Sequence, residues 1–279
     1  MKSLSWILLF PFLGLFAACE DEMIAPEPPQ LVVEGWVEAN GLAVVRISST
    51  LAVEKDYQSV DSLIDHVIQE AKVFVSDGEK SHQIDCKLVP NHLTPYEYRG
   101  NFICRAGRTY TLSVDCDYAG RTYHLESEAY VPEPCGIDTA YAEFVRCDEA
   151  GDSLFQIVVK PTQDGKVKAG RCFVQTDDSQ SEYLLAPLSL LPAERVVVLN
   201  PMQQGGGVTE TYFHQGEIVN VKCVSMDEVG DAFWTDFEQS LYLSRNFLMP
   251  LTQNIYSNIQ GGLGYWLGYG STTYHLEIH

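Results

Sequence analysis

Thr109-Tyr110-Thr111-Leu112-Ser113-Val114, followed by Ala119-Gly120 and then by Thr122-Tyr123-His124-Leu125, is the stretch that decides the fold. On both sides of the Ala-Gly pair, β-branched and aromatic residues alternate with polar ones, the period of a half-buried strand. A small residue followed by glycine between two such runs predicts a β-hairpin. Toward the N-terminus, Leu31 to Glu38, Ala43 to Thr50 and Ala71 to Ser76 show the same near-alternation, and Asp77-Gly78 punctuates the third run. With Thr109 to Cys116 and Arg121 to Tyr130 they form a succession of short strands without helices between them, which predicts a β-sandwich. Between Val53 and Gln69 the pattern turns polar and loses its period. An excursion is expected there, with one helical turn around Ser62 to His66, and His66 is read as part of an unmatched surface loop.

Val131-Pro132-Glu133-Pro134-Cys135-Gly136 is the expected boundary, because two prolines block continuation of a central strand. Beyond it, Thr139 to Arg146, Leu154 to Lys160, Arg171 to Thr176, Arg195 to Leu199 and Ile218 to Val224 again read as strands. One helix interrupts them. Ser225 with Glu228 resembles a capping box, and Met226, Val229, Phe233, Phe237 and Leu241 recur at spacings of three to four, a stripe expected to pack on the sheet. The expected organisation is therefore mainly β: a first sandwich over residues 31–130, a linker over 131–136, and a second β-rich domain with one helix over 137–279.

The N-terminus carries an address. Lys2, an apolar run from Leu4 to Phe16 and the small pair Ala17-Ala18 have the order of a secretory signal over residues 1–18. Phe16-Ala17-Ala18-Cys19 resembles the lipobox of bacterial lipoproteins, although leucine usually stands where Phe16 does; Cys19 is the expected site of acylation and the expected grip on a membrane. Residues 19–30 read as an acidic, proline-bearing tether, in which Pro26, Pro28 and Pro29 stiffen the spacer. Glu20-Asp21-Glu22 resembles the acidic export signal of surface lipoproteins of Bacteroidota. It implies an outer-membrane protein that faces the cell exterior.

Composition narrows the function. Loss of residues 1–18 removes Lys2 and no acid, which takes the formal net charge from −20 to −21 over a remaining 261 residues. Such a chain excludes phosphate-backbone binding and attachment to anionic lipid by charge, so no nucleic acid is expected as a partner. The seven cysteines after Cys19 form no Cys-x-x-Cys set and are an odd number, so a zinc site is not expected and at least one thiol stays outside any internal pairing scheme. Cys135 and Cys147 flank a candidate strand and are the first pair to test for a disulfide. There is no Gly-x-Ser-x-Gly elbow, and the seven histidines are not read as a ligand set. Asp148, Glu149 and Asp152 lack the spacing and glycine of a calcium loop. The expectation is a non-enzyme with no cofactor and no metal.

Two stretches stand out as binding surfaces. Gln203-Gln204-Gly205-Gly206-Gly207 makes an adaptable or merely flexing loop. In the tail, Ser257-Asn258-Ile259-Gln260-Gly261-Gly262-Leu263-Gly264-Tyr265-Trp266-Leu267-Gly268-Tyr269-Gly270 alternates glycine with aromatics. Tyr265, Trp266 and Tyr269 offer flat faces to a sugar or peptide, while the same alternation also describes a last strand tucked into a sheet. It lacks the Lys-Ser/Thr ending of a phosphate loop.

Taken in order, Leu31-Val32-Val33-Glu34-Gly35-Trp36, Gly107-Arg108-Thr109-Tyr110-Thr111-Leu112, Ile137-Asp138 and the terminal Ser257 to Gly264 are similar to the domain of unknown function 4249 family, outer-membrane lipoproteins of Bacteroidota. The resemblance covers nearly all of the chain after Cys19. It implies a first sandwich of immunoglobulin-like or transthyretin-like type and a larger β-rich second part. It also implies company with TonB-dependent transporters, and so an accessory or ligand-capture role beside one. The other expectation is a structural or adhesive surface protein in which the sandwiches act as spacers.

Overall fold

The computed structural model describes residues 28–51, 64–89, 95–162, 169–176, 188–189, 196–198, 200–204, 207–244 and 255–279. Residues 1–27, with Cys19, the signal-like segment and most of the tether, lie outside the described residues. The first half holds β1 (Leu31–Glu38), β2 (Val44–Ser49), β3 (Lys72–Ser76), β4 (Ser81–Leu88), β5 (Tyr96–Arg99), β6 (Arg108–Tyr118) and β7 (Arg121–Val131). The second half holds β8 (Ile137–Cys147), β9 (Ser153–Pro161), β10 (Ala169–Thr176), β11 (Leu188–Ser189), β12 (Val196–Val198), β13 (Asn200–Gln204), β14 (Gly207–Thr211), β15 (Phe213–His214) and β16 (Ile218–Met226). It ends with helix α1 (Glu228–Ser244) and β17 (Leu263–Glu277). The protein is mainly β, with one described helix in its C-terminal half.

The opening hairpin forms as its sequence predicts. Tyr118 pairs with Arg121, leaving Ala119 and Gly120 as a two-residue loop with φ of 50° and 75°, the left-handed pair that matches strand twist. Asp77 organises the next turn, its Oδ1 accepting the Glu79 and Lys80 amides at 3.0 and 2.9 Å. Of the expected excursion, residues 64–69 are described: Ser49 N donates to His66 O at 2.9 Å and Ile68 N to Ile47 O at 2.8 Å, which fastens the segment along β2.

Eleven strands share one sheet, in the order β11-β10-β16-β17-β1-β2-β5-β4-β3-β6-β7. Only β1 and β17 pair parallel; the other neighbours are antiparallel. The first half of the sheet curls into a sandwich-like shell, and its far edge returns to the start: Glu126 and Gln260 exchange backbone hydrogen bonds of 3.2 and 2.8 Å. Inside lie Leu31, Val33, Ile47, Tyr98, Leu112 and Trp266. The second half is layered. Strands β8, β9, β12 and β15 cover one face of β10, β16 and β17, enclosing Phe155, Ile157, Phe213, Val221 and Cys223. Helix α1 covers the other face, over Phe173, Val224, Met226 and Leu267.

The linker over 131–136 lies where β7 ends and β8 begins, yet β17 crosses that division. Its residues Leu263 to Tyr269 pair with β1, and Gly270 to Glu277 pair with β16. Two local readings are corrected. The N-cap of α1 is Asp227, whose Oδ1 accepts the Gly230 amide at 2.9 Å, while Ser225 belongs to β16 and donates to Gly270 O at 3.1 Å. Cys135 is buried two residues before the eleven-residue β8 and Cys147 is exposed at its far end, on the order of 35 Å away at strand rise, which no disulfide can span.

Candidate functional site

Cys19 lies outside the described residues. The other expected site residues all sit on β17, where strand periodicity sends them to two faces. Trp266 points into the first core, is 0 % exposed, and donates its Nε1–H to Tyr110 O at 2.9 Å. Tyr265 and Tyr269 face α1. Tyr269 is buried against Phe173, its hydroxyl accepts the Trp234 indole N–H at 3.0 Å, and burial pushes its phenol well above the usual value. Tyr265 stays half-buried, 4.4 Å from the Phe233 ring and 5.9 Å from Trp234 between centroids. Trp266 and Tyr269 thus have their faces covered by the protein itself, and Tyr265 keeps an open edge. In the Gln203 to Gly207 stretch, Gln204 pairs with Gly207 across β13 and β14, and Gly205-Gly206 lie outside the described residues.

Beside Tyr265 lies a second set of residues. β1 alternates strictly, burying Leu31, Val33, Gly35 and Val37 and turning Val32, Glu34, Trp36 and Glu38 to the face that carries α1. Glu34 stands opposite Arg46 on β2 and level with Tyr265 on β17. The Arg46 guanidinium lies 5.4 Å from the Trp36 ring centre and donates to Glu97 at 3.1 Å, and Arg99 Nε donates to the same carboxylate at 2.7 Å. Glu97 is 0 % and Arg46 5 % exposed, so this is a desolvated ion cluster within the sheet face. Burial holds the Glu34 carboxyl above the usual carboxylate range, against the opposing pull of Arg46.

The same face continues across β16 and β10. Glu38 is bonded by Lys222 and by Ser271. Arg171, 3 % exposed on β10, donates to Asp231 Oδ1 at 2.7 Å, Thr235 Oγ1 at 2.8 Å and Glu238 Oε2 at 3.3 Å, anchoring α1. The Trp36 and Tyr265 rings are thus half-buried on this face, packed against the cluster beneath α1 and flanked by the paired charges. Aromatic edges beside paired charges offer stacking and polar contacts to a flat or polar group.

The profile of the family described as Domain of unknown function (DUF4249) matches residues 18–275. The chain belongs to that family. A comparison with curated proteins finds no match.

Other polar groupings of the DUF4249 fold have structural explanations. Ser49 Oγ lies 2.8 Å from His66 Nδ1 and 3.0 Å from Tyr118 OH, beside the backbone bonds that fasten this loop to β2. His124 bridges Asp115 at 2.7 Å and Glu126 at 3.1 Å on the exposed face of the opening hairpin. His275 and His279 stand four residues apart, a helical metal-ligand spacing that the sequence reading passes over. Here His275 is on β17, where four residues span roughly 13 Å, and it bonds Asn220. Among the described residues no group of three or more His, Cys, Asp or Glu is arranged to hold a metal. Sequence reasoning missed Glu34, Trp36, Arg46, Glu97 and Arg99. The usable signal was the alternation of β1, which sets Glu34, Trp36 and Glu38 on the face opposite Leu31, Val33 and Val37.

Proposed function

We propose that this DUF4249 protein is an outer-membrane lipoprotein of the Bacteroidota type, anchored through acylated Cys19 and displayed at the cell exterior. On this reading it acts without catalysis, as an accessory or ligand-capture partner of a TonB-dependent transporter. The observation that carries the reading is the short stretch of sequence between Cys19 and the first strand. Glu20 to Gln30 are eleven residues, at most about 40 Å when extended, and they lead straight into β1. β1 is an interior strand of the large sheet, paired on both sides by β2 and β17. The tether thus joins an interior strand, and Trp36 on β1 and Tyr265 on the adjacent β17 lie on one face of that sheet.

Two further observations support it. The family match opens at residue 18, beside Cys19, so cysteine and body are covered as one unit. A net charge of −21 after loss of residues 1–18 repels an anionic bilayer, which leaves the acyl chains as the grip.

The test is a crosslinked pull-down of the tagged protein from intact outer membranes, alongside Cys19→Ala. The expected result is stoichiometric recovery of a TonB-dependent transporter with the acylated protein and release of the variant from the membrane. Retention at the surface with no transporter recovered overturns the transport role and favours the structural or adhesive reading.

A further inference from the structure

Cys172 of β10 and Cys223 of β16 stand directly opposite each other in the antiparallel register, with Sγ atoms 3.8 Å apart. Directly opposed residues of an antiparallel pair have Cα separations of about 4.5 or 5.5 Å, and a disulfide bridges either. Both side chains lie in the second core, 2 % and 0 % exposed, and Cys135 belongs to the same core. The two cysteines are 51 positions apart, so a bond between them closes a long loop. In the structure they are thiols. The Cys172 thiol and burial together push the Cys223 thiol far above its usual value, which makes the closed pair unreactive.

We propose that Cys172 and Cys223 form a disulfide, made by thiol–disulfide exchange before the second core closes over them. One cysteine, as its thiolate, attacks the disulfide of an oxidant of the dithiol–disulfide class, giving a mixed disulfide and releasing one oxidant thiolate. The other cysteine loses its proton to solvent and attacks the protein-side sulfur, forming the Cys172–Cys223 bond and expelling the second oxidant thiolate. Two protein thiols are oxidised and one oxidant disulfide is reduced to a dithiol. Core closure then shields the bond from reductant. It ties β10 to β16 next to Arg171, the residue that anchors α1, and so locks the strand on which the helix is held.

The proposal is independent of membrane anchoring, and its test uses the full chain in solution. The reduced, unfolded chain is refolded with reduced and oxidised glutathione, acid-quenched, denatured, alkylated with N-ethylmaleimide and mapped by mass spectrometry. The expected result is a joined 172–223 peptide pair, about 2 Da lighter than the two thiol peptides, and two fewer alkylated cysteines. Alkylation of both residues, or a bond from either to Cys135 or another cysteine, overturns the proposal. As a second measurement, reduction should lower the wild-type thermal midpoint by about 5–10 °C. Cys172→Ala/Cys223→Ala, which keeps small apolar groups in the core, should show no such response; an equal drop in that variant also overturns the proposal.

Discussion

Gly268 lies directly beneath the Tyr130 carbonyl: a Cβ built on it would stand 1.9 Å from that oxygen. The contact arises because β17 pairs in-plane with β1 while β7 packs across its face. Gly264 is crowded instead by its in-sheet partner: at a φ of 103°, a would-be Cβ stands 1.9 Å from Val33 O. The glycines of the tail are thus the condition for closing the first shell.

Gly268→Ala is expected to prevent that closure, because the obstacle is backbone and cannot rotate away. The variant should lose cooperative unfolding by circular dichroism, whereas Gly78→Ala, which meets nothing within 4 Å but keeps an unfavourable φ of 85°, should cost only about 1 kcal/mol. A Gly268→Ala protein with a wild-type melting curve would contradict the packing described.

Trp266→Ala removes the largest fully buried side chain among the described residues and leaves the Tyr110 carbonyl without its indole donor. A loss of about 3–5 kcal/mol is expected in urea unfolding. Tyr265→Ala, at a half-buried position, should cost roughly 1–2 kcal/mol. Similar costs for the two would mean that Trp266 is not the core residue it is here.

Glu97 holds both Arg46 and Arg99; the carboxylate and Arg46 are buried, while Arg99 reaches the surface. Glu97→Ala leaves buried Arg46 without the Glu97 carboxylate and should cost about 3–5 kcal/mol. Arg46→Met/Glu97→Leu removes both charges and should recover most of that loss, read as a coupling term in a double-mutant cycle. Additive single costs would refute the coupling.

His124 is held above its usual 6.5, first by its hydrogen bond to Asp115 and then by that to Glu126. A raised folded value means that the stabilisation is fully present below about pH 6.5 and is lost as pH rises through the folded value. The unfolding midpoint of wild type should therefore exceed that of His124→Gln in mild acid, and the two should converge in alkali. NMR titration of the imidazole checks the same shift directly.

Glu34 has the opposite sign. Burial raises its folded value above 4.5, so ionisation opposes folding above the folded value, and the penalty fades as pH falls toward the unfolded one. Glu34→Gln should raise the thermal midpoint at neutral pH and lose that advantage in acid below about pH 4.5. A variant less stable at neutral pH would show that the charge attraction to Arg46 outweighs desolvation.

Much of the strand content was legible because alternation is local. Leu31 to Glu38 matches β1 to the residue, and Ala119-Gly120 is the turn it resembles. β4 and β5 were not legible. Ser81–Leu88 is largely polar, and Tyr96–Arg99 carries Glu97 and Arg99, charges that sequence logic assigns to water. The cap of α1 shifted from Ser225 to Asp227 because the strand before it runs two residues further than its apolar pattern. At the site, Tyr265, Trp266 and Tyr269 read either as rings open to a ligand or as part of a last strand tucked into a sheet; the second reading describes Trp266 and Tyr269, and the pleat of β17 sends these two to opposite faces.

By itself the sequence determined the strand-rich character, the β6–β7 hairpin, the amphipathic helix of the C-terminal half and the acidic charge, since each depends on neighbours in the chain. Tertiary structure alone decided that the last strand lies parallel to the first, that Cys172 meets Cys223, and that Glu38 bonds Ser271 from 233 positions away. A period of two says which face a residue takes and nothing about which strand lies beside it. That choice is made by distant segments burying their apolar faces together, and only the closed sheet records it.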